Sequence, residues 1–461
     1  MNGQGAGAGA GPGGRWRRLA GWTGEHWGLA VFVLALLLRC GFCLAAGPWA
    51  PPTAWGDDAD YDAIARGLVG PGHVYQNTWF PPGYPLFLAT IYGLAGPAMK
   101  LAAVRLVQAV LSAATCWVTY ALARNAFGTT AGRAAAVLLA IYPGHVYMAW
   151  RLMAETLFTL LMALAVLAVQ RAAGQRAAPS TLWAAAGAGV ALGAATLVKS
   201  NLVVVVPLMV ACVALAGLGT ARRRAAAAAV MTAGCVLLLA ASPLANRFSP
   251  AHRATWLPGN GGPTLWWSNN PLADGYFVDP DNTPAGRAFI ERHHLAGPAI
   301  AARDPQVRDR ADRELALAWI RENPGSFVAL AGRKLWNAFG PLPRAALFSR
   351  ERLAAGVQAL AYGAMLPLIA AGLWLARRRW RRALPLYLEI GSYAAMTVVF
   401  YGTPRFTLVV MPYLAAFAGL ALAAAAARWA PAPAAAGPAP AAEQRRGARP
   451  AAGPPRAVAE T

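Results

Sequence analysis

The sequence has few charged residues, and acids are the scarcest of them. Charged residues make up 13% of the 461 residues, with 19 acids against 41 lysines and arginines, whereas 57% are apolar. This balance excludes an ordinary soluble domain and is typical of a membrane protein. The net charge of +22 would suit nucleic acid, but the arginines lie in short runs between apolar segments and in both tails. That is the pattern of cytoplasmic loops, so we expect no nucleic-acid partner.

Several common catalytic motifs are also missing. The sequence contains no Gly-rich phosphate loop and no G-x-S-x-G turn. It also lacks a clustered His, Cys and Asp pattern that would indicate zinc. The five cysteines fall within apolar segments, so they indicate no disulfide framework. We therefore expect neither a metal nor a cofactor.

Long apolar runs recur along the chain. A helix needs roughly 20 apolar residues to cross a bilayer, and the sequence predicts about ten such helices in an all-α polytopic membrane protein. We interpret the first run as an uncleaved anchor, because it is long and many spans follow it. Arg39 within it either reaches for the interface or faces a polar site. The predicted spans are 27–46, 101–123, 134–147, 155–169, 182–198, 202–218, 225–241, 354–376, 384–401 and 406–427.

The placement of arginine orients these spans. Loops such as 222–224 and 377–382 carry the positive charge that marks the cytoplasmic side, so both termini should be cytoplasmic. The polar interval 242–353 should then face outward, with helices at 308–321 and 325–339. The predicted organisation is a disordered lead at 1–26, a transmembrane module at 27–241 with its first outer loop at 47–100, an extracytoplasmic segment at 242–353, C-terminal transmembrane helices at 354–428 and a disordered tail at 429–461.

The first outer loop concentrates the scarce acids. Four of them lie within six residues, at Asp57, Asp58, Asp60 and Asp62. Apolar residues then recur at helical spacing, at Tyr61, Ile64, Ala65 and Leu68, which predicts a short amphipathic helix lying on the membrane surface. A proline break at 81–83 follows, and the apolar run 85–96 is too short to span, so we interpret it as a second interfacial helix.

Other charged residues are predicted at the outer ends of spans. Glu155 opens one span and either joins the acidic site or pairs with Arg151, four residues earlier on the same helical face. Asp57 and Asp58 either serve that site or cap a helix. Arg405 opens the last span, as an interfacial anchor or as a site residue. The bases expected on the outer side are Arg105, Lys199, Arg333, Lys334 and Arg405.

In their order, these motifs resemble those of the GT-C type of membrane glycosyltransferases, over roughly residues 30 to 425. More narrowly, the chain is similar to bacterial family-39 enzymes related to aminoarabinose and protein-mannosyl transferases. In the aminoarabinose branch a lysine precedes the proline pair and helps to hold the donor phosphate, whereas Phe80 stands here. The resembling segments are Asp57 and Asp58 before Tyr61, PPGYPLFLA at 81–89, Arg105 with Gln108, Glu155 with its apolar run, NNPLADG at 269–275, ENPGSF at 322–327, Arg333 with Lys334, and PRF at 404–406.

The resemblance implies a GT-C fold and a multi-pass enzyme of the bacterial inner membrane with its active site on the extracytoplasmic side. Such an enzyme moves a hexose or pentose from a polyprenyl-phosphate carrier, among membrane lipids, to a lipid, glycan or protein acceptor. The catalytic residues would be Asp57, Asp58 and Glu155. The donor phosphate and other substrate groups would be bound by Arg405, Arg333, Lys334, Tyr61 and Arg105.

Three other interpretations stay open at the level of sequence. A polymerase or ligase of surface polysaccharide would use the same residues. A transporter is expected to show inverted repeats and polar groups near the middle of the bilayer, and the sequence shows no clear repeat. An inactive scaffold would keep the fold without the chemistry.

Overall fold

The computed structural model describes residues 26–52, 57–71, 79–174, 178–200, 204–240, 260–281, 283–293, 305–342 and 352–429. Every regular element in these ranges is a helix, so the predicted all-α class is confirmed. The helices are α1 (Trp27–Ala46), α2 (Asp57–Val69), α3 (Gly83–Phe127), α4 (Thr129–Ala140), α5 (Pro143–Trp150), α6 (Glu155–Gly174), α7 (Ala178–Val198), α8 (Val205–Ala211), α9 (Ala221–Leu239), α10 (Gly261–Ser268), α11 (Pro284–Arg292), α12 (Pro305–Glu322), α13 (Pro324–Phe339), α14 (Arg352–Ala376), α15 (Trp380–Val399) and α16 (Pro404–Trp429).

The chain is a multi-pass membrane protein. Among the described residues, six helical stretches are long and apolar enough to cross a membrane, and the two longest are interrupted. Helix α3 breaks at Gly96, where φ is 72°, so the short run predicted at 85–96 is a helix of its own. Helices α14 and α15 are joined by a three-residue turn, Arg377–Arg379. The six stretches are Trp27–Ala46, Gly83–Phe127, Glu155–Gly174, Pro179–Val198, Gly356–Val399 and Pro404–Trp429.

Two of the predicted spans, 134–147 and 202–218, do not form long helices in the described residues. The second corresponds to a shorter apolar helix, Val205–Ala216. The first is interrupted. The chain leaves the helix at Ile141 and Tyr142, and Pro143 begins the next one. Proline is well suited to a first helical position because it has no N–H to leave unpaired there. The resulting helices, α4 and α5, have 12 and 8 residues, which is short of the roughly 20 that a span requires.

Arg39 in α1 faces the interior of the bundle and not the interface. Its side chain is 1% exposed, and its Nε donates to Ser112 Oγ at 2.7 Å. Its Nη1 donates to the carbonyl oxygens of Ala35 and Ala140, both at 3.0 Å. A charge in a membrane segment is costly unless such partners surround it. Arg39 therefore joins α1 to α3 and α4.

The predicted amphipathic helix of the first outer loop is present as α2. Its apolar stripe packs against protein, because Tyr61 and Ala65 are buried and α2 lies along α3. On the same face, Asp62 accepts a hydrogen bond of 2.7 Å from the hydroxyl of Tyr92 on α3. This docking fixes the first turn of α2, which carries Asp57 and Asp58, relative to the spans.

The segment predicted to face outward, 242–353, contributes α10 to α13, which share a small apolar core of their own. Trp266, Trp319 and Phe289 are its largest buried members. Helix α10 approaches α12 so closely that a Cβ at Gly262 would lie 1.8 Å from the carbonyl oxygen of Asp309. Only glycine fits such a contact. The predicted helices at 308–321 and 325–339 are confirmed as α12 and α13.

The chain divides into two compact units, Met1–Ala423 and Ala424–Thr461. The first contains all of the elements discussed below. In the second, the described residues 424–429 are helical. The lead predicted at 1–26 and the tail predicted at 429–461 lie almost wholly outside the described residues.

Candidate active site

Asp57, Glu155 and Arg405 meet in one ion-paired cluster. Arg405 Nη1 donates to Asp57 Oδ2 at 2.9 Å. Its Nε and Nη2 both donate to Glu155 Oε1, at 2.9 and 2.6 Å. One guanidinium therefore joins the starts of α2, α6 and α16 and holds two carboxylates in a fixed arrangement.

Lys199 also belongs to this cluster. It is the residue that follows α7, and its Nζ donates to Glu155 Oε1 at 2.7 Å. The sequence placed Lys199 on the outer side but not among the site residues. A lysine at the outer end of an apolar span was the available signal, but its pairing with Glu155 depends on how α6 and α7 pack.

Asp58 belongs to a second, adjoining ion pair. Its Oδ2 accepts hydrogen bonds from Arg151 Nη2 at 3.0 Å and Nε at 3.2 Å. Arg151 Nη1 in turn donates to the hydroxyl of Tyr147 at 2.8 Å. The sequence suggested Glu155 as the partner of Arg151, and this was wrong. Helix α5 ends at Trp150, so Arg151 and Glu155 do not share a helical face.

The three acids of the cluster and of the adjoining ion pair differ sharply in exposure. The side chain of Asp57 is 36% exposed, whereas those of Asp58 and Glu155 are 2% and 1% exposed. Asp57 is therefore the acid that a substrate in water can reach most readily. Burial raises the pKa of the neighbouring Asp60, and the charges of Asp57 and Asp58 add to that shift.

Two glycines bring Arg405 to its place. A Cβ at Gly402 would lie 1.8 Å from the carbonyl oxygen of Lys334, so the turn before α16 lies directly on α13. Gly402 also donates its N–H to the carbonyl oxygen of Gly275 at 3.0 Å. Gly275 adopts a φ of 97° and itself lies against Arg333. The NNPLADG and YGTPRF motifs therefore meet on α13, three residues before Arg405.

Lys334 is enclosed beneath that turn. Its Nζ donates to Asn269 Oδ1 at 2.7 Å and to the carbonyl oxygens of Val398 and Val399 at 3.1 and 3.4 Å. Burial lowers the pKa of Lys334 to about 7. The structure thus places this lysine as a brace between α13, the NNPLADG motif and the end of α15. The adjacent Arg333 is exposed.

Arg105 likewise contacts backbone. Its guanidinium donates to the carbonyl oxygens of Gly47, Pro48 and Ala50 after α1, and to that of Trp150. The Arg105 guanidinium carbon also lies 4.8 Å from the centroid of the Trp150 ring. These contacts hold the entry to the first outer loop against α5.

The rings of Tyr61 and Phe80 pack against each other within the first outer loop. Their ring centroids are 4.6 Å apart, and the Tyr84 ring lies 4.8 Å from Tyr61. Burial, followed by the charges of Asp57 and Glu155, raises the pKa of Tyr61 well above its usual value, so its hydroxyl stays neutral. A Cβ at Gly83 would lie 2.7 Å from the carbonyl oxygen of Leu197, so the proline break packs on the end of α7.

A small cavity lies behind Glu155. It is also lined by Ser112, Thr115, His145 and Thr159. Burial lowers the pKa of His145 to about 3, so its ring is neutral at physiological pH. The second carboxylate oxygen, Glu155 Oε2, is buried without a hydrogen-bond partner in the described ranges. Within those ranges no group of three or more His, Cys, Asp or Glu side chains is arranged to hold a metal ion.

Comparisons with known proteins bear on the fold. The family model for dolichyl-phosphate-mannose-protein mannosyltransferase matches residues 80–245, which is less than half of the chain. No curated protein sequence matches the chain. The oligosaccharyltransferase of Archaeoglobus fulgidus in its apo form aligns with a TM-score of 0.54 at 17% identity, over 88% of this chain and 51% of that chain.

A second oligosaccharyltransferase structure aligns similarly. AglB of Archaeoglobus fulgidus, in complex with an inhibitory peptide and a dolichol-phosphate, gives a TM-score of 0.51 at 16% identity, over 88% of this chain and 51% of that chain. ArnT of Cupriavidus metallidurans in the apo state gives 0.37 at 16% identity, over 87% and 77%, and at that score we infer nothing from it. This chain spans about half the length of the archaeal enzymes, and it has the GT-C fold that its sequence predicted.

Proposed function

We propose that this protein is a membrane glycosyltransferase that moves one sugar from a polyprenyl-phosphate carrier to an acceptor hydroxyl. Transfer takes place on the extracytoplasmic face of the bacterial inner membrane. The observation that carries the proposal is the Asp57–Arg405–Glu155 cluster, in which one exposed carboxylate is fixed by a guanidinium beside a buried one. The archaeal enzyme of the same fold that was solved with dolichol-phosphate supports a lipid-linked donor.

Asp57 acts as the general base in this mechanism. The acceptor oxygen attacks the anomeric carbon of the donor sugar, and its proton passes to the Asp57 carboxylate. The bond between the anomeric carbon and the phosphate oxygen breaks, and the polyprenyl phosphate leaves with the electron pair. The Asp57 carboxylate can accept this proton because it is partly exposed and is held in place by Arg405.

Arg405 and Lys199 stabilise the negative charge on the departing phosphate. Three of the five N–H donors of Arg405 contact Asp57 and Glu155, which leaves two for a ligand. Lys199 uses one of its three donors on Glu155. Glu155 holds both cations in place before the donor arrives, so little reorganisation is needed as the phosphate charge develops. Asp58, held by Arg151, orients the first turn of α2.

A transfer assay tests this proposal. Purified protein is incubated with a polyprenyl-phosphate sugar that carries a radiolabel in the sugar, together with an extract of envelope lipids, glycans and proteins. We expect label to leave the donor and to appear in one acceptor class. If label instead crosses the bilayer of proteoliposomes with its carrier bond intact, the protein is a transporter and the proposal is wrong.

A further inference from the structure

A strip of aromatic rings lies beside the candidate active site. Its members are Trp79, Trp267, Phe277 and Tyr401, with successive ring centroids 5.5, 4.8 and 5.7 Å apart. We call these four residues the aromatic strip. They come from the first outer loop, from the residues on either side of the NNPLADG motif and from the turn before Arg405. The first of these segments also carries Asp57, and the last leads directly into Arg405.

The strip reaches the cluster at Tyr401. This residue lies four positions before Arg405, and its ring packs against Phe406 at 5.3 Å. Burial raises the pKa of Tyr401 to about 12, and the charges of Arg405, Asp57 and Glu155 also act on its hydroxyl. The hydroxyl is therefore a neutral hydrogen-bonding group within electrostatic range of the proposed base.

The strip is most open to ligands at Phe277, the ring next to Tyr401. Phe277 is 42% exposed, whereas Trp79 and Trp267 are half-buried. The strip has charged neighbours, since the Arg308 guanidinium carbon lies 5.9 Å from the Trp267 ring centroid and Arg308 pairs with Asp281 at 2.9 Å. Asp279, two residues after Phe277, is exposed.

We propose that the aromatic strip is the docking site of the acceptor, and that the acceptor is a saccharide. The C–H faces of sugar rings stack on aromatic rings, and the hydroxyls at their edges bond to carboxylates such as Asp279. Charged groups this close to the strip would be costly in hydrocarbon, so lipid tails fit this surface less well. The inference rests on the proposed function, because docking next to Tyr401 places a sugar hydroxyl within electrostatic range of Asp57, the proposed base.

Phe277→Ala tests the inference in a way that does not require turnover. Saturation-transfer NMR is recorded on purified protein in a detergent without a sugar headgroup, with a panel of neutral hexose and N-acetylhexosamine disaccharides as probes. We expect saturation transfer to at least one disaccharide in the wild type, and binding about 3- to 10-fold weaker in Phe277→Ala, the effect of losing one aromatic stack. Phe277→Trp should retain binding.

Trp336→Ala is the matched control, because Trp336 is 57% exposed on α13 in the same outer segment but is not part of the strip. It should bind the disaccharides as the wild type does. The absence of saturation transfer in the wild type, or equal transfer in Phe277→Ala, would overturn the inference. Quenching of the wild-type tryptophans by brominated lipid that is lost in Trp267→Phe would show a strip that faces lipid, which also overturns it.

The transfer assay separates this inference from the proposed function. In one outcome, label moves from the donor to a peptide or a sugar-free lipid, and Phe277→Ala leaves the acceptor KM unchanged. This result would support the glycosyltransferase function and overturn the saccharide site. If disaccharides bind the strip but the donor is never turned over, the proposed function is wrong while the site stands. Both stand if Phe277→Ala raises the KM for a saccharide acceptor and leaves the KM for the donor unchanged.

Discussion

Arg405 donates a 2.9 Å hydrogen bond to Asp57 although 348 residues separate them along the chain. The same guanidinium contacts Glu155, 250 residues away. Each of the three residues lies at the first turn of a different helix, so the cluster exists only when the first turns of those helices meet. The contact links the proposed phosphate-binding cation to the proposed base, so removing Arg405 should also free Asp57 from its fixed position.

We expect donor binding to weaken when Arg405 is removed and also when it is replaced by lysine. In Arg405→Ala, Glu155 keeps Lys199 as a partner, but Asp57 loses its fixed position and the donor phosphate loses two N–H groups. We expect the KM for a polyprenyl-phosphate sugar to rise about tenfold or more, since charge-assisted hydrogen bonds are worth about 1.5–3 kcal/mol. Arg405→Lys should recover only part of this, because a lysine cannot contact both carboxylates with a planar fork. Donor affinity equal to wild type in both variants would reduce Arg405 to an anchor.

The Asp58–Arg151 pair is expected to act on stability. Removing one partner of a buried ion pair costs about 3–5 kcal/mol because a charge stays behind unpaired. Since Arg151 is partly exposed, we expect Asp58→Asn and Arg151→Met each to fall at the lower end of that range. The double variant should lose less than the sum of the two. Thermal unfolding in detergent measures this cycle, and strictly additive losses would show that the pair does not couple.

Lys334 predicts a dependence of stability on pH. Burial lowers its pKa to about 7 in the folded protein, from an ordinary 10.5. Between these values the unfolded chain binds more protons than the folded one, so the free energy of unfolding rises with pH. Below pH 7 both states are protonated and the contribution is constant. The slope for one group is at most about 1.4 kcal/mol per pH unit.

The comparison with Lys334→Met isolates this contribution. The melting temperature of the wild type, relative to the variant, should climb from pH 7.5 to pH 9.5. Parallel curves for the two proteins over this interval would mean that the folded protein keeps Lys334 charged.

The orientation in the membrane gives a further prediction. Cysteines introduced at Asp279 and Arg222, both exposed, should lie on opposite sides if the outer segment is extracytoplasmic. An impermeant thiol reagent applied to intact cells should label Asp279→Cys and not Arg222→Cys. Labelling of the wild type gives the background from the five native cysteines. The reverse pattern would place the cluster on the cytoplasmic side.

The helices of this fold were largely predictable from the sequence, whereas the side-chain contacts between different helices were not. Helix α2 follows from periodicity, α12 and α13 were predicted within the polar interval, and the break at Gly96 follows from the length of an apolar run. The failure at 134–147 has a local cause, since Pro143 restarts the helix within an apolar run. Hydropathy does not register such a break.

For the site residues as well, the sequence indicated which residues matter but not which of them contact each other. Scarcity of acids singled out Asp57, Asp58 and Glu155, because so few others had to be explained. The pairing of Glu155 with Lys199, and of Asp58 with Arg151, depends on which helix ends are neighbours. Arg105 and Lys334 looked like phosphate ligands because they are bases on the outer side, yet both meet backbone carbonyl groups. A linear pattern does not distinguish a base that faces a ligand from one that braces a turn.

The most direct measurement of the central claim is sugar transfer by Asp57→Asn. The assay uses a labelled polyprenyl-phosphate sugar and purified variants whose melting temperatures match wild type. Asparagine keeps the size and polarity of the side chain but cannot accept the proton, so turnover should fall by about 10²–10⁴-fold while donor binding survives. Asp60→Asn, an exposed acid in the same turn, is the matched control and should keep wild-type turnover. Near-normal turnover in Asp57→Asn would contradict the assignment of Asp57 as the base.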